Sequence, residues 1–354
     1  MEPLRQDDPG QLGVYRPLGR IDAADSGVPV PVRRFIARTP GGDHTVLLSS
    51  PRLEFAREGE HGQRFGAEAE QARRLSGHSS PILEQIVEVS WGTGGQLPWC
   101  VSPYSPALPL PGALAAQGGG LGERTVRALG LALAEALAAL HEQGFAHAGV
   151  APGTVLLGAD GPRLTGFGCV RSLAPEGEER VAVPGLPPEA LPPEQLSGGR
   201  PRPPGDVFGL GAVLSYAATG RLAPDASGLP EGLREAVSAC LAPDPAHRPR
   251  AAAVRDALGA GFVPPAPALP PSPAPGWAPA TAMDGGAGAF GPGWLPGRVI
   301  AALVRQSGRA LGAQGPPGAA GAVRAAGADT VTSESDVPLA PGAPALHPGA
   351  SPRP

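Results

Sequence analysis

The chain contains no lysine: its 28 Lys-or-Arg residues, among 354 in all, are every one arginine. This absence excludes Schiff-base and pyridoxal-phosphate lysine chemistry. It also excludes the Gly-Lys-Ser/Thr phosphate loop, since each needs an ε-amine. Cysteine is nearly as scarce, with Cys100, Cys169 and Cys240 spread along the chain. Their spacing matches no metal-ligand pattern and their number is odd, so they are expected as buried reduced thiols of a cytoplasmic protein. There is no charged-then-apolar leader and no run of 18 or more apolar residues, so no membrane span is expected. Basic charge is short as well. The formal net charge of −4 argues against a broad nucleic-acid footprint.

Glycine (53) and proline (47) are abundant but unevenly placed. Residues 1–12 are polar and expected to be loose. Residues 13–262 have globular texture, and the 42 % hydrophobic content is enough for a sizeable core. In the last 92 residues, 263–354, Pro, Gly and Ala account for 55. Such a segment has too few large apolar side chains to offset its ordering entropy, and is expected to be mainly disordered. One island, 294–311, breaks it: Val299, Ile300, Leu303, Val304 and Leu311 recur at helical spacing beside Arg298, Arg305 and Arg309. A short marginal helix or a docking helix both fit it. Thr330, Thr332, Ser333 and Ser335 form a solvated polar patch or a set of phosphoacceptors.

Within the globular part, strands come first and helices later. Residues 28–38 and 44–48 read as strands joined by the turn Pro40-Gly-Gly-Asp43, and 98–104 as another. Residues 60–76 and 125–143 read as helices, the second with Leu129, Leu133, Leu137 and Leu140 on one face and Gly144 as its cap. Short strands at 154–157 and 163–165 follow, then helices at 206–219, 229–241 and 251–258. A small β-rich part before a helical part is an α+β arrangement.

Five segments of the second part then carry a resemblance. They are the stretch Leu140-His-Glu-Gln-Gly-Phe-Ala-His147 with its continuation through Pro152 and Thr154 to Leu157, then Leu164-Thr-Gly166-Phe-Gly168, Pro192-Pro-Glu194, Asp206-Val-Phe-Gly-Leu-Gly211 and Cys240-Leu-Ala-Pro-Asp-Pro-Ala-His-Arg248-Pro249. In order and spacing they resemble the catalytic loop, Asp-Phe-Gly, Ala-Pro-Glu, central-helix and closing motifs of bacterial Ser/Thr protein kinases. The resemblance covers 13–262. It implies a bilobal protein-kinase-like fold, with a small lobe over about 13–104 and a large lobe over about 105–262.

The same resemblance implies that the chemistry is missing. Phosphoryl transfer rests on positioning and charge neutralisation. The catalytic aspartate position aligns with Gly149 and the loop lysine with Ala151. The two magnesium-ligand positions align with Thr154 and Gly166, neither of which offers a carboxylate. The ATP-anchoring lysine aligns with Leu48, within one residue. Its usual glutamate partner aligns with Glu68, read as an exposed helix residue. In the phosphate loop, Leu18 to Gly27, Gly19 is kept but Ile21 and Ala24 replace glycines, and Asp22 and Asp25 would repel a triphosphate. Arg33, Arg34 and Arg38 are read as solvated strand residues. No Ser, Thr or Tyr stands between Ser172 and Ser197, so the activation segment has nothing to phosphorylate there.

Scaffold positions are retained: His147 and Phe167 of the internal apolar column, Asp206 under the catalytic loop, and the Glu194–Arg248 ion pair. Loss of chemical positions with retention of scaffold implies a pseudokinase, a degenerate member acting as a regulatory or scaffolding module. Its expected partner is a protein, such as an active Ser/Thr kinase or a phosphopeptide-binding domain. No cofactor is expected. Should ATP bind, with or without magnesium, the wall would be Val46, Ser102, Tyr104 and Leu156. The alternatives are a nucleotide-binding sensor and a residual or atypical kinase.

Overall fold

The computed structural model describes residues 1–23, 26–42, 44–55, 59–76, 80–92, 96–260, 290 and 293–312. Five antiparallel strands form the first lobe: β1 (Arg16–Arg20), β2 (Val32–Arg38), β3 (Thr45–Pro51), β4 (Glu88–Ser90) and β5 (Trp99–Pro103). Their spatial order is β1-β2-β3-β5-β4. Side chains alternate across this sheet. Phe35, Val46 and Leu48 face outward and pack with Leu12, Tyr15 and Trp99. Ile36 and Leu47 face inward. Helix α1 (Gly59–Leu75) covers the rest of the inner face through Phe65, Ala69 and Ala72.

The amino terminus departs from the loose start expected of it. Glu2 and Arg20 exchange backbone hydrogen bonds at 2.8 and 2.9 Å. The edge strand β1 has N–H and C=O groups to satisfy, and the first residues satisfy them.

The second lobe begins with β6 (Ala107–Pro109), α2 (Leu110–Gln117) and α3 (Glu123–Glu142). The hairpin β7 (Val155–Gly158) and β8 (Gly161–Leu164) pairs with β6 in a three-stranded sheet. Then come α4 (Cys169–Leu173), α5 (Pro193–Leu196), α6 (Pro203–Thr219), α7 (Glu231–Cys240) and α8 (Ala251–Gly259). Leu129, Leu133, Leu137 and Leu140 of α3 are all buried, and Gly144 ends the turn after α3 with a positive φ of 82°. Helix α6 is apolar on every side and lies in the core, as an all-round apolar helix must. Cys100, Cys169 and Cys240 are free and buried. No helix among the described residues is long and apolar enough to cross a membrane.

The island of the carboxy-terminal segment forms α9 (Gly297–Gly312). Trp294, Leu295, Val299 and Leu303 join the core of the second lobe, against α2 and β6. Val304, at helical spacing with them in the sequence, is instead exposed. The Trp294 indole donates to Ala159 O at 3.0 Å, and Arg298 donates to Gln117 O at 3.2 Å, at the end of α2. The remaining Ala/Gly/Pro-rich residues with the Thr330–Ser335 cluster, and Ala24, Asp25 and Asp43, lie outside the described residues.

Candidate functional site

The interlobe cleft is built on the loop 147–154 and the Gly166-Phe167-Gly168 turn. Asp206, at the start of α6, holds this loop from below. Its two carboxylate oxygens accept from His147 N at 2.7 Å and Ala148 N at 2.8 Å, and one of them also meets His141 Nε2 at 2.9 Å. The His147 ring packs edge-on to Phe167, with centroids 5.6 Å apart. Burial holds the His147 imidazole down at about 4, against the opposing pull of the Asp206 charge.

The two positions that the resemblance assigns to catalytic and metal-binding aspartates meet each other as bare backbone. A Cβ placed on Gly149 would lie 2.0 Å from Gly166 O. Gly166 itself has a φ of 78°, and a Cβ there would lie 3.0 Å from both Cys169 Sγ and Thr154 Cγ2. A side chain at Gly149 would require the opposing backbone to move, and one at Gly166 would have to adopt a left-handed backbone and press on two side chains. Thr154 is turned inward: its hydroxyl donates to Gly149 O at 2.7 Å and accepts from Ala151 N at 3.1 Å. Both bonds serve the loop, so this oxygen is committed to backbone.

The strand register corrects two sequence assignments. Leu48 pairs with Phe35 and Val101 and lies in the outer apolar cluster, together with Val46. The inward residues of β3 are Leu47 and Ser49. Ser49 lines a small cavity of about 30 Å³ with Glu84, Gly166, Phe167 and Phe65 of α1. Within the one-residue latitude of the resemblance, Ser49 rather than Leu48 faces Glu84 across the cleft, and its buried hydroxyl has no hydrogen-bond partner among the described residues. Alternation with period two makes a one-residue shift a change of face.

Side chains of the chain itself fill the cleft. At the hinge end Ile21, Ile36, Leu47, Ala107 and Leu156 are mutually packed and buried, with Tyr104 against them. Ser102 looks further back and donates to Glu84 at 2.9 Å. Burial pushes the Glu84 carboxyl up, opposed by its hydrogen bonds from Ser102 and from Gly166 N. At the phosphate-loop end stands Arg34, read from sequence as solvated yet fully buried. Its guanidinium grips Asp22 by two bonds and donates to Thr165 Oγ1 and Gly153 O, each at 2.8 Å. Helix α9 adds a brace: Gln306 donates to Ala107 O at 2.6 Å and Tyr104 Oη at 3.0 Å, and accepts from the Met1 amino group at 3.1 Å.

Glu68 is also corrected. It is half-buried and taken by Arg171, whose Nε and Nη2 donate to its two oxygens at 2.7 and 2.6 Å. In the activation segment, Arg180 is completely buried and donates to four carbonyls, those of Gln195, Gly199, Ala174 and Pro175, at 2.7–3.1 Å. It fixes a segment that offers no phosphoacceptor between 172 and 197. Arg248 pairs with Glu194 at 2.6 and 2.8 Å, as the family arrangement implies. Sequence reasoning missed Asp22, Arg34, Glu84, Arg180 and Gln306 as cleft or segment anchors. Only the pairing of Arg34 with an inward strand position carried a signal, since its neighbours Val32 and Ile36 are apolar.

No family model matches the chain. A probable serine/threonine-protein kinase of Thermomonospora curvata, PkwA, is 34 % identical over 271 residues, which is 71 % of this chain and 35 % of that protein. The serine/threonine-protein kinase AfsK of Streptomyces griseus is 29 % identical over 265 residues, 70 % of this chain and 31 % of that one. The chain thus spans about a third of the length of these relatives. Among solved structures, the kinase domain of Mycobacterium tuberculosis PknI superposes with a TM-score of 0.54 at 21 % identity, over 71 % of this chain and 97 % of that domain. The chain is a homologue of bacterial serine/threonine-protein kinases and has their bilobal fold.

Proposed function

We propose that the chain is a pseudokinase: a kinase-shaped regulatory or scaffolding module in bacterial Ser/Thr-kinase signalling. The observation that carries this reading is the contact of Gly149 with Gly166, where a Cβ would lie 2.0 Å from the opposing carbonyl oxygen. A phosphoryl-transfer site needs a group to orient the attacking hydroxyl and oxygen ligands for magnesium. Here those two positions are close-packed backbone, and the threonine beside them is bonded to the loop. The buried Ile21–Leu47–Leu156 cluster supports the same reading, because an adenine ring would have to part it. The partner is a protein, such as an active Ser/Thr kinase or a phosphopeptide-binding domain, engaged through the second lobe.

One observation favours a second reading, a nucleotide sensor without catalysis. Arg34 keeps a guanidinium at the phosphate-loop end of the cleft. Thermal denaturation of the full chain with ATP or ADP, with and without magnesium, and a radiolabelled phosphate-transfer assay separate the readings. The pseudokinase scaffold gives no shift and no transfer. A magnesium-independent shift selects the sensor. A magnesium-dependent shift accompanied by transfer overturns both.

A further inference from the structure

A cavity of about 440 Å³ opens beside the loop 22–31, at the end of β1 and β2 and closed on one side by Gly185 of the activation segment. Arg5, Arg20, Arg33, Arg34 and Arg52 line it, with Asp22 as the only carboxylate among the described lining residues. Five of the 28 arginines converge here in a chain whose net charge is −4. Composition does not produce that concentration.

Solvation does not account for it either. The side chains of Arg20, Arg33 and Arg34 are 16 %, 11 % and 0 % exposed. Two of the charges are answered within the fold: Arg20 by Asp8, and Arg34 by Asp22. Arg33 is answered only in part. Its Nε donates to Pro51 O at 3.1 Å and its Nη1 to Asp7 O at 3.5 Å, while the Asp8 carboxylate that grips Arg20 reaches it at 3.9 Å. Burial lowers its affinity for its own proton, opposed by the Asp8 charge and aided by that of Arg20. Arg52 pairs with exposed Glu54 at 2.7 Å and leaves its Nε buried without a partner. Arg5 makes no side-chain bond among the described residues. Five guanidinium groups around one cavity, with Arg5 exposed and, among the described residues, free of side-chain bonds and Arg33 sharing its carboxylate with Arg20, are a receptor for an anion.

We propose that this cavity binds a phosphate monoester, with Arg33, Arg52 and Arg5 as its ligands and Arg34 as a fixed charge in its wall. The planar fork of arginine matches phosphate oxygens two at a time; Arg5 offers a whole fork, Arg33 its Nη2, unbonded among the described residues, and Arg52 a fork now shared by Val30 O and exposed Glu54, which an anion would displace. The volume lies in the range of small-molecule sites and admits a phosphorylated side chain with its neighbours. The site needs no catalysis: binding of the phosphopeptide leaves the pseudokinase reading untouched, whereas ATP binding there selects the sensor.

The test uses the full chain. A fluorescent phosphoserine peptide with neutral flanks is titrated against it, beside the unphosphorylated peptide, with inorganic pyrophosphate and ATP as competitors. The phosphopeptide is expected to bind and pyrophosphate to displace it, while the unphosphorylated peptide does not bind. Should ATP bind through the same arginines and the peptide fail to, the phosphate comes from a nucleotide, and the anion site is still supported. Arg33→Gln is expected to weaken binding by about tenfold or more, as does loss of a hydrogen bond to a charged group. Arg221→Gln, exposed and remote from the cavity, is expected to change nothing. Arg5→Gln removes a side chain with no partner in the fold, so its effect on binding cannot be a folding defect. Failure of all three phosphate compounds to bind overturns the proposal. So does binding of undiminished strength in Arg5→Gln and in the folded Arg33→Gln/Arg52→Gln variant.

Discussion

Arg171 holds Glu68 by both carboxylate oxygens, at 2.7 and 2.6 Å, and thereby ties α1 of the first lobe to the turn after Gly168. With no lysine in the chain, the glutamate of α1 has found the one cation that this turn presents. Arg171 is fixed in turn by Ala146 O at 3.1 Å and by the face of Phe167, 5.1 Å below it.

Glu68→Gln keeps the shape and removes the charge. Both partners are partly exposed, so screening limits the loss to about 1 kcal/mol, or about 2–4 °C in the midpoint of thermal unfolding. Gly168→Ala is expected to cost more. Its φ is 71°, and the added methyl would lie 2.2 Å from Glu68 Oε2. A Gly168→Ala variant as stable as the parent would show that the lobes are not tied in this way.

Arg248→Ala leaves Glu194 without its partner and strips donors from the carbonyls of Ala242, Pro204 and Pro243. Breaking a fully buried pair from one side costs about 3–5 kcal/mol; Glu194 is 30 % exposed, so the loss falls at the lower end of that range, with the three abandoned carbonyls adding to it. Much reduced thermal stability or aggregation is expected. An unchanged unfolding midpoint would contradict the role given to the pair.

The large lobe was legible in the sequence because its signals are local. Leu129, Leu133 and Leu137 repeat at helical spacing, and Asp206, Glu194 and Arg248 sit in motifs whose partners the fold dictates. The small lobe was less so, because a strand shows only its alternation. Calling 44–48 the strand rather than Thr45–Pro51 left the inward face undecided between Leu48 and Ser49. For Arg34 the inward position was legible from Val32 and Ile36, but its partners were not. Its burial depends on Asp22, Thr165 and Gly153, residues 12, 131 and 119 positions away. The same holds for Gln306 against the hinge. Long-range pairing of a polar side chain leaves no periodic trace.

The corrected face of β3 gives a test of its own. Leu48→Lys drives an ammonium group into the outer cluster of Leu12, Phe35, Trp99 and Val101, where the neighbouring Glu88 carboxylate is already bonded to Tyr15. A loss of several kcal/mol is expected, seen as failure to fold or a large drop in midpoint. Ser49→Lys puts the same group into the cavity that Glu84 lines and is expected to fold. Equal damage from the two would remove the distinction between the faces.

His147 couples stability to pH. Its folded value of about 4 lies below the ordinary 6.5. Between these limits the unfolded chain takes up a proton that the folded one refuses. The contribution is therefore complete above pH 6.5 and is lost as pH falls towards 4, at up to about 1.4 kcal/mol per pH unit. Asp206, Arg171 and His141 are the charged or titratable groups that act on it. Glu84, whose carboxyl is pushed up, works in the opposite sense. The effect is thus read as a difference between the parent and His147→Phe. The parent is expected to lose stability more steeply than the variant between pH 6.5 and 4; parallel curves would refute it.

Helix α9 carries the folded unit beyond the kinase resemblance. The resemblance closes at 262, yet Trp294, Leu295, Val299 and Leu303 complete the apolar core of the second lobe. Their removal would uncover α2 and β6 and strip the Gln306 amide from the hinge. Trp294→Ala deletes a buried ring, its edge-on contact with Phe290 at 4.9 Å and its bond to Ala159 O. Loss of a buried tryptophan costs about 3–5 kcal/mol, which corresponds to a fall in midpoint on the order of 10 °C. A chain ended after Ala260 is expected to lose as much again and to bind a hydrophobic dye. If the shortened chain instead unfolds at the parent's temperature without binding dye, α9 contributes nothing to the core, and the unit ends where the kinase resemblance does.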